Sequence, residues 1–321
     1  MKRKNKGFTL VELLAVIVIL ALIALIATPI ILNVINDAKK QAAKDSAYGY
    51  MDAVEKYIVS SELEDESIQD GTYRVEDLNK KISVKGSTPD NGNIEIKNKE
   101  VKRYDIGIDG YVVSNGEVKK VSTTKSFKNG TAVYYNPVLG EKCESNEEGC
   151  MKWYVFNDKE GNATVNVILD HNTTARVAWN STGNNSEMKE VKTKLEEDTK
   201  DWKNTARLIT ANEVAKITGN TGFDATQLGQ SWFYLDSNNQ TQTTSSTNKS
   251  KYAWLFDYTK ECTNYGCNKQ DSSTEGYWTS TRKIGEINIW HVDSVGFLSA
   301  HVMTLTDYGV RPVITISKSN I

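Results

Sequence analysis

Polar and apolar positions divide this chain into stretches of different period. From Leu13 to Ile35 no residue carries a charge, and about 23 residues at a rise of about 1.5 Å reach about 35 Å, enough to cross a bilayer as a helix. Beyond this run, apolar residues recur every three or four positions at Ala43, Ala47, Tyr50, Val54 and Tyr57. Lys39, Lys40, Lys44, Asp45, Asp52, Glu55 and Lys56 take the other faces. This spacing predicts a single helix over 8–62, with its membrane span at about 8–35 and its second half laid against a soluble head. The acidic run Glu62-Leu63-Glu64-Asp65-Glu66 breaks the period and reads as a solvated exit turn.

From about 70 to 125 the period falls to two, as in Ile94-Glu95-Ile96 and Tyr111-Val112-Val113, between Asn91-Gly92, Asp109-Gly110 and Asn115-Gly116. Asn-Gly and Asp-Gly supply the positive φ angles of tight hairpins, so residues 63–125 are expected to form a small antiparallel β head. Residues 126–321 read as a larger, mainly β, loop-rich domain with short helices near Ser186–Thr199 and Thr210–Thr218. Asp236–Asn248, almost all small and polar, is expected as a surface loop. The fold class is therefore α+β: a long N-terminal helix, a small β head, then the larger β-rich region.

Composition rules out a disordered chain, because 39% of its 321 residues are hydrophobic and 25% charged. Lys2, Arg3, Lys4 and Lys6 precede the apolar run, and the positive-inside tendency keeps them in the cytoplasm and sends the rest out. Without those four, 35 basic residues face 41 acidic ones, a net charge of −6. That argues against direct DNA contact, although Lys119, Lys120, Lys125 and Lys128 form a local basic cluster.

A secretory signal also begins with basic residues, and Ala24–Ala27 offers small residues for its cleavage, but its apolar stretch is shorter than this one. A plain signal anchor accounts for neither Gly7 nor Glu12. The order Gly7-Phe8-Thr9-Leu10-Val11-Glu12 after a short basic leader, with Pro29 further along, resembles the N-terminus of type IV prepilins and pseudopilins. The resemblance covers about the first 55 residues. It implies that a prepilin peptidase removes the leader 1–7, that Phe8 becomes the N-methylated amino terminus, and that Glu12 becomes the fifth residue. A carboxylate in hydrocarbon costs about 2.5–3.5 kcal/mol on insertion scales; in the family's assembly scheme its partner is the Phe8 amine of a neighbouring subunit. The plainer alternative is that Glu12 snorkels to the headgroups. Pro29 removes one helical hydrogen bond, and the family commonly bends or loosens its helix there. Expected partners are the prepilin peptidase, other pilin subunits through the N-terminal helix, and the assembly machinery in the membrane.

Near the C-terminus, Gly276-Tyr277-Trp278-Thr279-Ser280-Thr281 and Gly309-Val310-Arg311-Pro312-Val313-Ile314, with Trp290 between them, resemble the core of C-type-lectin-like and formylglycine-generating-enzyme-like folds. The Glu-Pro-Asn and Trp-Asn-Asp motifs and the C-terminal cysteine pair of those families are missing, so neither sugar specificity nor catalysis carries over. Tyr277, Trp278 and Trp290 read as core aromatics and Arg311 as the anchor of a loop through a buried carboxylate or carbonyl.

Cys143/Cys150 and Cys262/Cys267 each bracket a polar loop, which in an exported domain suggests two local disulfides; a four-thiolate zinc site is the competing reading. None of the three histidines sits beside a nucleophile motif, and His171 is the one expected at the surface. No phosphate loop occurs, so neither an enzyme nor a cofactor is expected. These features point to a pilin-like structural subunit, a minor pilin with an extracellular head for a surface glycan or protein. The alternatives are a DNA-uptake or secretion pseudopilin and a surface binding protein anchored in the membrane but not assembled into filaments.

Overall fold

The computed structural model describes residues 10–63, 68–121, 126–173, 176–183, 187–236, 251–256, 276–294 and 296–321. Of the sequence expectations, residues 64–66 of the acidic turn and 237–248 of the polar loop lie outside these ranges. Helix α1 runs Leu10–Leu63 and continues through Pro29, where the Thr28 hydroxyl donates to the Ala24 carbonyl at 2.6 Å. Its apolar stripe starts to bury at Ala43 and continues through Ala47, Tyr50, Met51, Val54 and Ile58, with Tyr57 at the margin. The two alanines let the backbone of α1 approach the sheet, and the Tyr50 hydroxyl donates to Asn79 Oδ1 at 2.6 Å.

That sheet is antiparallel and follows chain order: β1 Gly71–Arg74, β2 Asn91–Lys97, β3 Glu100–Ile108, β4 Tyr111–Ser114 and β5 Glu117–Lys120, with the short helix α2 Val75–Leu78 after β1. Three two-residue turns join β2 to β5, and both residues of each have positive φ: Asn98-Lys99, Asp109-Gly110 and Asn115-Gly116. These are turns whose twist matches that of the strands. Asn91-Gly92 is not a turn but opens β2. Glycine is required there because a Cβ on Gly92, at φ 140°, would lie 2.2 Å from the Asp105 carbonyl oxygen of β3.

The C-terminal region has two more sheets. The first comprises β6 Ala132–Asn136, β7 Glu141–Lys142, β8 Met151–Phe156, β9 Thr164–Leu169 and the last strand, β15 Val313–Ser317, in the order β15-β9-β8-β6-β7. The second has the order β10-β13-β12-β11-β14, from β10 Phe233–Tyr234, β11 Gly276–Arg282, β12 Asn288–Asp293, β13 Phe297–Val302 and β14 Tyr308–Gly309. Only β11 and β14 pair in parallel in that sheet. Helices α3 Glu190–Asp198 and α4 Ala211–Thr218 cover these sheets. Neighbouring residues of β11 serve opposite faces: Trp278 joins Trp153, Trp179 and Trp202 in one core, and Tyr277 joins Trp290 and Trp254 in the other.

The period-two pattern of the first sheet hides a further layer. Ile94, Ile96, Tyr104, Ile106 and Ile108 face α1, but the polar residues on the other face do not meet water. Asn91, Asn93 and Asp105 are at most 5% exposed because β9, β15 and the segment 202–207 pack over them. Asn166 of β9 donates to Asn91 at 3.3 Å, Arg207 to Asn93 at 3.0 Å, and the Thr205 amide to Asp105 at 3.3 Å. Arg103 donates to the Trp202 carbonyl at 3.0 Å. Asn91, Asn93 and Asp105 thus each have a partner across the seam, which is the condition for burying such groups at tolerable cost. A Cβ on Gly107 would lie 2.9 Å from Thr164 Oγ1, so the two sheets meet at close range.

Candidate assembly segment

From Leu10 to Ile35 the large apolar side chains of α1 are 42–83% exposed, and among the described residues no other element packs on them. Water does not tolerate about seven helical turns of exposed aliphatic surface, so this half of α1 belongs in a bilayer or against other copies. Among the described residues it is the one helix long and apolar enough to cross a membrane. Glu12 sits in its first described turn, on an exposed face, and Pro29 lies inside it. Gly7 and Phe8 lie outside the described residues.

In the C-terminal region Tyr277 and Trp278 are fully buried and Trp290 is 1% exposed. Arg311 is also fully buried. Its guanidinium donates to the carbonyls of Leu169, Asp170, Trp254 and Leu255 at 2.6–3.1 Å and lies 5.1 Å from the Tyr277 ring. It therefore pins the 254–255 turn to the end of β9 through carbonyl oxygens rather than a carboxylate. Cys143 and Cys150 form a disulfide that closes the loop between β7 and β8. This rules out a zinc site of four thiolates, because two of the four sulfurs are bonded to each other; Cys262 and Cys267 lie outside the described residues. No group of three or more His, Cys, Asp or Glu positioned for a metal occurs among the described residues.

His171 is not at the surface. It is 1% exposed, because β9 carries Asp170 and His171 into the interior beside Arg311. Burial opposes the charge on Asp170, but contact with His171 and the charge of Arg311 hold its carboxyl below the usual range. His291 packs 4.0 Å from the Tyr308 ring centroid, and burial, aided by His301, pushes its pKa down to about 3, so it is neutral at physiological pH.

Pattern reading of the sequence missed the ionic knot at the seam. Glu213 on α4 is 3% exposed and accepts two hydrogen bonds from Arg207, at 2.7 and 2.8 Å. Arg74, at the end of β1, reaches the same carboxylate at 3.2 Å and also pairs with Asp77. Glu213 further caps α4, accepting from the Thr210 amide while its own amide donates to Thr210 Oγ1. The spacing Thr210-x-x-Glu213 is the available signal for the cap, but it says nothing of the two arginines. Burial alone would raise the Glu213 pKa; Arg207 and Arg74 outweigh it and hold the value at about 2.

An exposed apolar helix thus stands on a packed α+β head. Among known protein families, the prokaryotic N-terminal methylation motif matches residues 2–28. No curated protein and no solved structure matches the chain. The motif supports a type IV pilin- or pseudopilin-like protein and implies processing by a prepilin peptidase and assembly with other pilins. The mature chain is expected to begin at N-methylated Phe8. Mass spectrometry of the N-terminal peptide reads this directly, and an intact Met1 or an end after Ala27 would contradict it.

Proposed function

We propose that this chain is a non-catalytic minor pilin, inserted N-in and C-out as a precursor, whose region 126–321 is an extracellular binding head. The observation that carries the reading is the match of residues 2–28 to the methylation motif on a helix whose apolar half no described residue covers. The Glu12 carboxylate pairs with the Phe8 amine of a neighbouring copy, and Pro29 lets the helix adjust as copies stack. Assembly draws on the pilus machinery in the membrane.

A head for a glycan or protein at the cell surface is supported by two features. Trp232 is 55% exposed and forms an aromatic group with Tyr234 and Phe297, with ring centroids 5.2–6.1 Å apart. A cleft of about 1190 Å³ also opens where α3 faces β1 and β2, its walls including Arg103, Trp179, Lys192 and Glu196. The lectin-like reading is supported by adjacency: the Gly276–Thr281 string forms most of β11, and the Gly309–Ile314 string runs from its parallel neighbour β14 into β15.

This subunit is expected at or near the filament tip. A region of roughly 195 residues has a radius of gyration of about 16 Å and a width on the order of 40 Å. It lies on the face of the first sheet opposite α1, where it widens the subunit sideways. Seating it on every closely spaced copy along a shaft is difficult, whereas a tip position has no copy above it. Immunogold labelling with an antibody to 126–321 tests this: one cluster per filament end is expected, and uniform labelling along the shaft would make the chain a major pilin.

A further inference from the structure

We propose that the membrane-proximal edge of the head is a lipid-facing surface whose lysines engage the phosphate groups of anionic phospholipids while the subunit stands in the bilayer. The inference rests on α1 spanning the membrane and is independent of what the head binds or whether the chain assembles.

Two segments build this edge. Lys39 and Lys40 are the first basic residues after the charge-free run, and Lys44 follows one turn later on α1. Lys119 and Lys120 end β5, and Lys120 Nζ donates to Asn36 Oδ1 at 3.3 Å. That contact brings the head down to the residue immediately after Ile35, where the apolar run stops. A notch of about 560 Å³ separates the two segments, with Asp37, Lys40, Lys44, Glu117 and Lys119 in its walls.

The height of these lysines above the hydrocarbon follows from helix geometry. With Ile35 at the hydrocarbon boundary, Lys39 stands about 6 Å and Lys44 about 13 Å above it, at about 1.5 Å per residue. The headgroup layer on one side of a bilayer is about 5–8 Å thick. Lys39 and Lys40 therefore lie among the headgroups and the Lys44 backbone about 5 Å beyond them, while the end of β5 meets α1 at Asn36, at headgroup level.

Charge selects the partner. Five lysines, at 39, 40, 44, 119 and 120, face three carboxylates, at Asp37, Asp45 and Glu117, although the chain beyond the leader is net negative. Among the described residues none of the five lysines is in a salt bridge with a carboxylate. Lys44 lies over the Tyr48 ring at 5.7 Å, and Lys120 holds Asn36. An ammonium is a compact, strongly hydrated point charge that suits phosphate oxygens. An anionic membrane surface therefore attracts this edge and repels the acidic remainder, which turns the seam-side sheets away from the bilayer. Lys119 and Lys120, held beside α1 just above the apolar run, thus face lipid headgroups.

The test uses the full chain in lipid nanodiscs of phosphatidylcholine alone or with about 30 mol% phosphatidylglycerol, lysine acetylation being followed by mass spectrometry. Lys39, Lys40, Lys119 and Lys120 are expected to react at least about threefold more slowly in the anionic discs and to recover at about 0.5 M salt, where screening is short-ranged. Lys99, which is paired with Glu62 near the far end of α1, serves as the internal reference and should not change. Replacing Lys39, Lys40, Lys119 and Lys120 together with glutamine should remove any difference in Lys44 labelling between the two discs. Equal labelling of the four lysines in both discs, or slowing that Lys99 shares, would overturn the proposal.

Discussion

Changing Glu12 to valine is expected to leave the chain in the membrane and remove it from filaments. Insertion does not suffer, because Glu12→Val deletes a carboxylate that costs about 2.5–3.5 kcal/mol in hydrocarbon. Assembly does suffer, because the Phe8 ammonium of the adjoining copy then enters an apolar bundle without its counter-charge. Breaking a buried pair from one side costs about 3–5 kcal/mol, on the order of a hundredfold to a few thousandfold in incorporation. Immunoblots of sheared filaments against the membrane fraction measure both quantities in one preparation. If Glu12 only snorkels to the headgroups, mutant and wild type will shear off in equal amounts, and the pairing argument fails.

Glu213→Ala is expected to be the most damaging single change in the head. It leaves Arg207 buried and Arg74 mostly buried without their shared carboxylate, and removes the side-chain half of the α4 capping box, the acceptor of the Thr210 amide. The expected loss is about 3–5 kcal/mol, read as a lower urea midpoint for the chain in detergent. A loss below about 1 kcal/mol would mean that the arginines find other acceptors. The same group sets an acid limit. Its folded pKa of about 2 lies below the ordinary glutamate value, so its stabilisation is complete above about pH 4.5 and disappears as the pH falls through about 2. Glu213→Gln should flatten that part of the acid unfolding curve. An unchanged curve would assign acid sensitivity to other carboxylates.

Much of the architecture was legible because local chemistry and tertiary structure agree. The apolar stripe from Ala43 to Val54 buries as its period requires, and the short helix at 210–218 is found at Ala211–Thr218. The departures each have a physical reason. Asn91-Gly92 carries the composition of a hairpin turn, yet its glycine serves close contact between strands, while Lys99 adopts positive φ in the real turn with nothing in its side chain to announce it. Asn93 and Asp105 look solvent-facing by period and are buried, because a polar face can be covered by a matching polar face. His171 was misplaced for a related reason: its neighbours Asp170 and Asn172 are polar, but all three lie inside. The knot of Arg74, Arg207 and Glu213 joins residues 139 positions apart at its extremes, beyond any local pattern.

The polar seam also determines how the subunit carries load. Force applied to the C-terminal region pulls on β9, β15 and the 202–207 segment, which grip the first sheet directly, and that sheet in turn grips α1 along Ala43–Ile58. Tension therefore leaves the head through many side-chain contacts acting in parallel, and the single backbone crossing after β5 need carry little of it. Contacts sheared together resist far more force than the same contacts peeled one after another. Force on the C-terminal region would therefore load the anchoring helix before the head hinged away from it.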